Sequence, residues 1–317
     1  MFVYRVYNLS IASQKELPEL IPSNDIEADV TVQFGSAKTL DKPSRLFMKW
    51  YLPSGELWCS FAKVAGGYLL KFDKFADFFV TDDGNEIICM TKDGIPPETI
   101  QHLLLDQVIP LVINLKGGEA LHASSVLAPQ GVIAFAGHAG SGKSTLAGSF
   151  LLSGYGYVSD DCLTLLENVN ELHALPAYPG LRLWDDALTH LFGDNGSHES
   201  VAHYTDKRRV ELKKRLEAHC TQPQPLRRLY TIVNPSETER ESGIKIERLS
   251  SRESFMALVE SAFRLDITDH KMLARQFHFL ERVAAKISVR RLAFPRDFNL
   301  LPAVRGAILQ DLKDMVD

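Results

Sequence analysis

The sequence predicts a mixed α+β and α/β protein of two domains: a strand-rich N-terminal domain over residues 1–115 and an α/β domain over 116–317. Three observations predict it. The chain has 317 residues, enough for about two domains. Residues 2–90 carry short β-branched and aromatic runs separated by turn residues. Beyond residue 116 a strand pattern, a glycine-rich loop and a helix pattern follow directly, and strands and helices then alternate.

The N-terminal strands read in order as Phe2–Tyr7, Asp29–Gly35, Phe47–Leu52, Leu57–Val64, Gly67–Phe72, Phe78–Thr81 and Glu86–Met90. Their close spacing predicts an antiparallel sheet with its own small core. Asp82-Asp83-Gly84-Asn85 has hairpin-turn chemistry, the plainer reading of its two acids than metal ligation. Pro96-Pro97 then opens a helix whose apolar face holds Ile100, Leu103, Leu104, Val108 and Leu111. Nothing in this domain reads as chemistry, so a scaffold, a partner surface or an oligomer contact is expected.

Composition excludes several classes. A net charge of −5 gives no electrostatic case for nucleic acid, and no apolar run is long enough to span a bilayer. The N-terminus lacks the pattern of a secretory signal. Cys59, Cys89, Cys162 and Cys220 are widely spaced with no C-x-x-C pair, as expected of core thiols in a cytoplasmic protein.

Lys116-Gly117-Gly118 reads as a hinge into the second domain. There, Gly131–Ala136 is an apolar run typical of a buried strand, and Thr145–Leu152 a helix ended by Gly154. Between them Gly137-His138-Ala139-Gly140-Ser141-Gly142-Lys143-Ser144 fits G-x-x-x-x-G-K-[ST]. The chemistry is that of an anion site. Glycines let backbone N–H groups curl round phosphate oxygens, and the helix N-terminus, with Thr145 in its first turn, adds positive potential. Lys143 would reach the outer phosphates of a nucleoside triphosphate and the Ser144 hydroxyl would ligate Mg²⁺.

Two further features flank this loop. His122 opens an apolar stretch, and the Pro129-Gln130-Gly131 turn folds that stretch back as a hairpin beside the loop's strand. After the helix, Tyr155–Leu166 reads as one strand with Asp160 and Asp161 inside it. Buried carboxylates in a strand are costly unless a cation or a proton transfer uses them, and a solvated acidic edge is the alternative. Mg·ATP needs an acid near the metal, and transfer to a hydroxyl needs a carboxylate to accept its proton.

Taken together, His122, the loop from Gly137 to Ser144 and Val158-Ser159-Asp160-Asp161 resemble the kinase domain of the HPr kinase/phosphorylase family, at that family's intervals and without a gap. The resemblance implies the fold of the HPr kinase and ATP-dependent phosphoenolpyruvate carboxykinase group, with ATP and Mg²⁺ as cofactors. It implies that Asp161 is the general base for an acceptor serine, and that Asp160 supports the metal or orients the base. Lys143 would hold the phosphates, Ser144 the metal, and His122 would lie close to the transferred group. HPr kinases are hexamers, so a homo-oligomer is also implied.

The match weakens downstream. Tyr178-Pro179-Gly180-Leu181-Arg182-Leu183-Trp184 stands where the family carries its metal-binding glutamate; Asp185 and Asp186 are the nearest acids. Arg182 is either an anion ligand or a stem packed on Trp184. Thr205-Asp206-Lys207-Arg208-Arg209 lies roughly where the family has an active-site arginine, so Arg208 or Lys207 could neutralise charge on the transferring phosphoryl group, with a solvated basic turn as the alternative. The segment 193–198 reads as a loop at the site mouth. Only Arg252 remains of the loop tied to the family's phosphorylase activity, which implies loss of the reverse reaction.

Strands are expected at Leu229–Val233, Ile244–Leu249 and Val289–Phe294. Helices are expected after a Ser250 cap, over Asp269–Lys286 and over Leu300–Met315. The layout also resembles stand-alone HPr-kinase-like proteins, some of which phosphorylate the C-terminal serine of a lasso-peptide precursor. The resulting expectation is phosphorylation of a serine hydroxyl on a protein or peptide. Its rivals are a small-molecule kinase on the same scaffold and a regulatory module that binds nucleotide without transferring phosphate.

Overall fold

The computed structural model describes residues 1–35, 45–52, 54–169, 171–193, 199–202, 205–211, 219–234, 243–263 and 266–314. The chain divides into two compact units. One is Met1–Glu119 with Val201–Thr205 and Arg264–Arg275; the other is Ala120–Ser200 with Asp206–Phe263 and Gln276–Asp317.

The first unit is built on β1 (Phe2–Val6), β2 (Leu9–Ser13), β3 (Ile21–Pro22), β4 (Val30–Phe34), β5 (Arg45–Tyr51), β6 (Leu57–Val64), β7 (Gly67–Phe72), β8 (Ala76–Thr81) and β9 (Glu86–Thr91). Among the described residues they form one sheet in the order β3-β1-β2-β4-β9-β8-β7-β6-β5. The sheet is mixed rather than antiparallel as expected, because β4 pairs in parallel with both β2 and β9. Parallel neighbours need long connections. The chain supplies one through the β5–β8 meander, which returns β9 alongside β4 in the same direction. The expected helix is α1 (Pro97–Leu103) and α2 (Ile109–Leu115), joined by a π turn over Leu104–Val108. All five residues of its apolar face are buried.

The second unit holds β10 (Ala120–Leu121), β11 (Ala123–Ala128), β12 (Gly131–Ala136), β13 (Gly156–Ser159), β14 (Leu163–Glu167), β15 (Leu172–Ala174), β16 (Gly180–Leu183), β17 (Glu199–Ser200), β18 (Arg208–Glu211), β19 (Gln224–Val233), β20 (Lys245–Arg248) and β21 (Ser288–Ala293). Its helices are α3 (Lys143–Leu152), α4 (Asp185–Phe192), α5 (Ser251–Ser261), α6 (His270–Lys286), whose residues up to Arg275 count with the first unit, and α7 (Leu301–Lys313). The main sheet runs β10-β14-β15-β19-β12-β11-β13, with β21 joined to β19 and β20 to β21. The central strands β12, β19 and β21 are parallel. A smaller sheet runs β16-β18-β17.

Both faces of β12 are buried, which is why Gly131–Ala136 is apolar throughout rather than alternating. Ile133 and Phe135 face a core shared with Leu146 and Phe150 of α3 and Val304 and Ile308 of α7. Val132, Ala134 and Ala136 face the opposite core, with Leu258 of α5 and Phe279, Leu280 and Val283 of α6. Alternate side chains of a strand point to opposite faces, so one short strand organises two hydrophobic cores. Ser250 caps α5 in a full capping box with Glu253. The Asp194–His198 segment and Met315 lie outside the described residues. Among the described residues no helix is long and apolar enough to cross a membrane.

Candidate functional site

The site begins where β12 ends. Gly137, Gly140 and Gly142 all have left-handed φ, at +139°, +74° and +98°. A Cβ on Gly137 would sit 2.6 Å from the Ile232 carbonyl oxygen, so only glycine lets the chain leave the sheet so close to β19. The Ser141 amide donates to the His138 carbonyl at 3.1 Å and closes the turn. His138, Ala139 and Gly140 are exposed, whereas Lys143 at the first turn of α3 is buried. Its ammonium donates to the Gly137 and His138 carbonyls, at 2.9 and 3.1 Å. Burial holds the Lys143 ammonium pKa below its ordinary range, with the Asp161 charge pulling the other way. The loop is therefore a backbone cradle with its cation folded over it. The Ser141 hydroxyl is buried inside this loop with no hydrogen-bond partner among the described residues, an orphan that a phosphate oxygen would satisfy. Ser144 and Thr145 follow on α3, each half-buried.

The β11–β12 hairpin puts His122 next to the loop: Ala123 pairs with Ala136, and His122 lies one residue beyond. Its amide donates to the Ser261 carbonyl and its ring meets Phe263 edge-on. Nδ1 lies 3.0 Å from the Asp161 carbonyl oxygen, which fixes this nitrogen as the donor in the neutral ring. Burial lowers the His122 pKa and favours that neutral form.

Asp160 and Asp161 do not lie within a continuous strand, contrary to the sequence expectation. β13 stops at Ser159, the Cys162 amide turns back onto the Asp160 carbonyl, and Asp161 has a left-handed φ of +59°. A residue in that conformation cannot continue a strand, so the two acids sit on a bend between β13 and β14. The bend gives them different environments. The Asp160 carboxylate is 3 % exposed and accepts from the Ser124 hydroxyl at 2.5 Å and from the Arg182 amide at 3.0 Å. Burial, reinforced by the Asp161 charge, pushes its pKa up to about 6. The Asp161 carboxylate is half-buried and faces the Lys207 ammonium at 3.6 Å. Left-handed non-glycine residues cluster at functional positions because the surrounding fold must hold them there.

Of the two basic candidates, Lys207 is thus the one brought to Asp161, while Arg208 pairs with Asp185 at 3.2 Å on the surface. Arg182 is buried on β16, its guanidinium 5.3 Å from the Tyr178 ring centre. Ser124 is the residue that sequence reasoning missed. The ladder that pairs Ser125 with Ser159 puts Ser124 beside Asp160, and the available signal was a pair of hydroxyls in an otherwise apolar strand.

The donor set suits Mg²⁺ only together with phosphate oxygens. No cluster of three His, Cys, Asp or Glu side chains among the described residues could hold a metal alone. Mg²⁺ is commonly bound through one or two carboxylates plus substrate phosphates. Of the residues expected to hold the ion, Ser144 is half-buried at the start of α3 and Asp160 is buried on the bend after β13.

No protein-family model matches the chain, and no curated protein matches it. Among solved structures it is similar to the HPr(Ser) kinase/phosphatase from Coxiella burnetii, at 15 % identity and a TM-score of 0.36, over 62 % of this chain and 99 % of that one. At that TM-score the likeness decides nothing about fold or activity, which rest on the residues themselves.

Proposed function

We propose that the second unit is an HPr-kinase-like phosphotransferase that moves the γ-phosphoryl group of ATP, with Mg²⁺, to a serine hydroxyl of a protein or peptide. The observation that carries this reading is the company of Asp161. A strained bend holds its carboxylate within the electrostatic reach of the loop lysine, Lys143, with Lys207 at 3.6 Å. A base beside a phosphate cradle is what transfer to a hydroxyl requires, and simple nucleotide binding does not call for it.

In this reading the glycine loop and the α3 N-terminus bind the phosphates through backbone N–H groups. Lys143 exchanges its two carbonyl partners for phosphate oxygens. The acceptor hydroxyl gives its proton to Asp161 as its oxygen bonds to the γ-phosphorus and the bond to the β-phosphate oxygen breaks, leaving ADP. Lys143 and Lys207 offset the charge on the equatorial oxygens. His122, neutral and donating to the Asp161 carbonyl, holds the bend in place. Asp160, with both oxygens engaged, anchors that bend to β11 and β16. Mg²⁺, held by Ser144, the phosphates and an acid, would neutralise the triphosphate.

Asp161→Asn keeps the side-chain volume and removes the base. Transfer of label from γ-labelled ATP into serine-bearing acceptors should fall by about 10²–10⁴-fold while ATP affinity stays within a few-fold. Unchanged transfer in this variant refutes the assignment.

A further inference from the structure

Trp184 is 46 % exposed and meets Lys207, the lysine that faces the candidate base. Its position follows from the small sheet. β16 and β18 pair antiparallel up to Leu183↔Arg208, and one residue further Trp184 and Lys207 stand across from each other. The Lys207 ammonium lies 5.8 Å from the Trp184 ring centre and 3.6 Å from Asp161 Oδ2. Trp184, Lys207 and Asp161 thus form a continuous chain of contacts from the surface to the base. Trp184 is also the last residue before α4, held by the β16 ladder on one side, while the Leu188 amide donates to its carbonyl on the other. Its ring is therefore presented on a rigid support.

From this geometry we infer that Trp184 is a docking platform for the acceptor, selecting a polypeptide with an apolar or aromatic side chain next to the phosphorylated hydroxyl. The inference rests on the phosphotransferase reading above and names its substrate class. The group facing a general base is the acceptor hydroxyl, so residues linked to Asp161 on its outward side line the acceptor's approach. Lys207 sits at the ring on the side toward Asp161, and the exposed remainder of the indole is an apolar surface of side-chain size. A flanking apolar side chain fits it, and stacking there adds to the burial of both surfaces. The Arg208–Asp185 ion pair borders the same spot and supplies a polar rim.

The test uses the full-length protein and two short acetylated peptide amides, identical except that one has its single serine flanked by phenylalanines and the other by glycines. With Mg·ATP, the wild type should show a KM about tenfold lower for the phenylalanine peptide. Trp184→Ala should raise that KM to the glycine-peptide level with kcat and the KM for ATP within about twofold, and Trp184→Phe should restore it. The peptide should also quench tryptophan fluorescence in the wild type and not in Trp184→Phe, which retains Trp50 and Trp58. Equal KM values for the two peptides in the wild type overturn the inference. So does an effect of Trp184→Ala on ATP rather than on the peptide, which would place the indole against the nucleobase. If neither peptide is phosphorylated but the phenylalanine peptide still quenches Trp184, the docking platform stands and the phosphotransferase reading falls. If neither transfer nor quenching occurs, the platform falls.

Discussion

Asp160→Asn should make this protein more stable than the wild type at neutral and alkaline pH, even though it alters an acid of the candidate site. The Asp160 carboxyl lies at about 6 in the folded chain against an ordinary value of 3.8, first because burial penalises the charge and second because Asp161 repels it. The folded state therefore binds this proton more tightly than the unfolded state. The stability contributed by this group is greatest below its unfolded value and is lost as pH rises through about 6. A rise of about two pH units corresponds to about 3 kcal/mol. Asparagine removes the charge and can keep both bonds: its oxygen accepts from the Arg182 amide, and its amide donates to the Ser124 hydroxyl. Urea unfolding of both proteins at pH 4 and pH 8 reads the effect of removing this charge, including the relief of its repulsion with Asp161. The stability of the variant relative to wild type should rise by about 2 kcal/mol between the two pH values, less than the full shift because the unfolded carboxyl is already partly ionised at pH 4. A difference that does not change with pH refutes the reasoning and would mean that the folded chain does not hold the Asp160 proton more tightly than the unfolded chain.

Two further outcomes follow from geometry. Gly137→Ala places a Cβ 2.6 Å from the Ile232 carbonyl at a left-handed φ, so it should cost about 1–3 kcal/mol in urea unfolding and weaken nucleotide binding in a fluorescent-nucleotide titration. Asp311 on α7 pairs with Arg228, which is 2 % exposed, lies 3.4 Å from Arg290, and accepts from the Tyr230 hydroxyl at 2.7 Å. Asp311→Ala leaves the Arg228 charge buried and uncompensated, and should cost about 3–5 kcal/mol by the same unfolding measurement.

Much of the chain was legible without coordinates. The strands β6 and β7, the hairpin that brings His122 to the loop, the capped helix α5 and the long helix α6 all lie where local patterns place them. These features depend on residues close in sequence: turn chemistry, capping and apolar periodicity. The parallel pairing of β4 with β9 was not legible, because two parallel neighbours here are joined through four intervening strands and no local signal marks the partner. The short helix α4 was also missed, having few turns over which a period can accumulate.

For the candidate site the division falls in the same place. The loop of Gly137–Ser144 and the two acids declare themselves by residue type and spacing alone, since a phosphate cradle is made by consecutive residues and a single helix N-terminus. What tertiary structure decided is the surroundings of each acid. Ser124 and the Arg182 amide, 36 and 22 residues away, occupy Asp160 and bury it, while the bend at Asp161 turns that carboxylate toward Lys207, which follows 46 residues later. Burial and charge at a given carboxyl are set by whichever strands pack around it. Two adjacent aspartates therefore look alike in sequence and become different only when the sheets assemble.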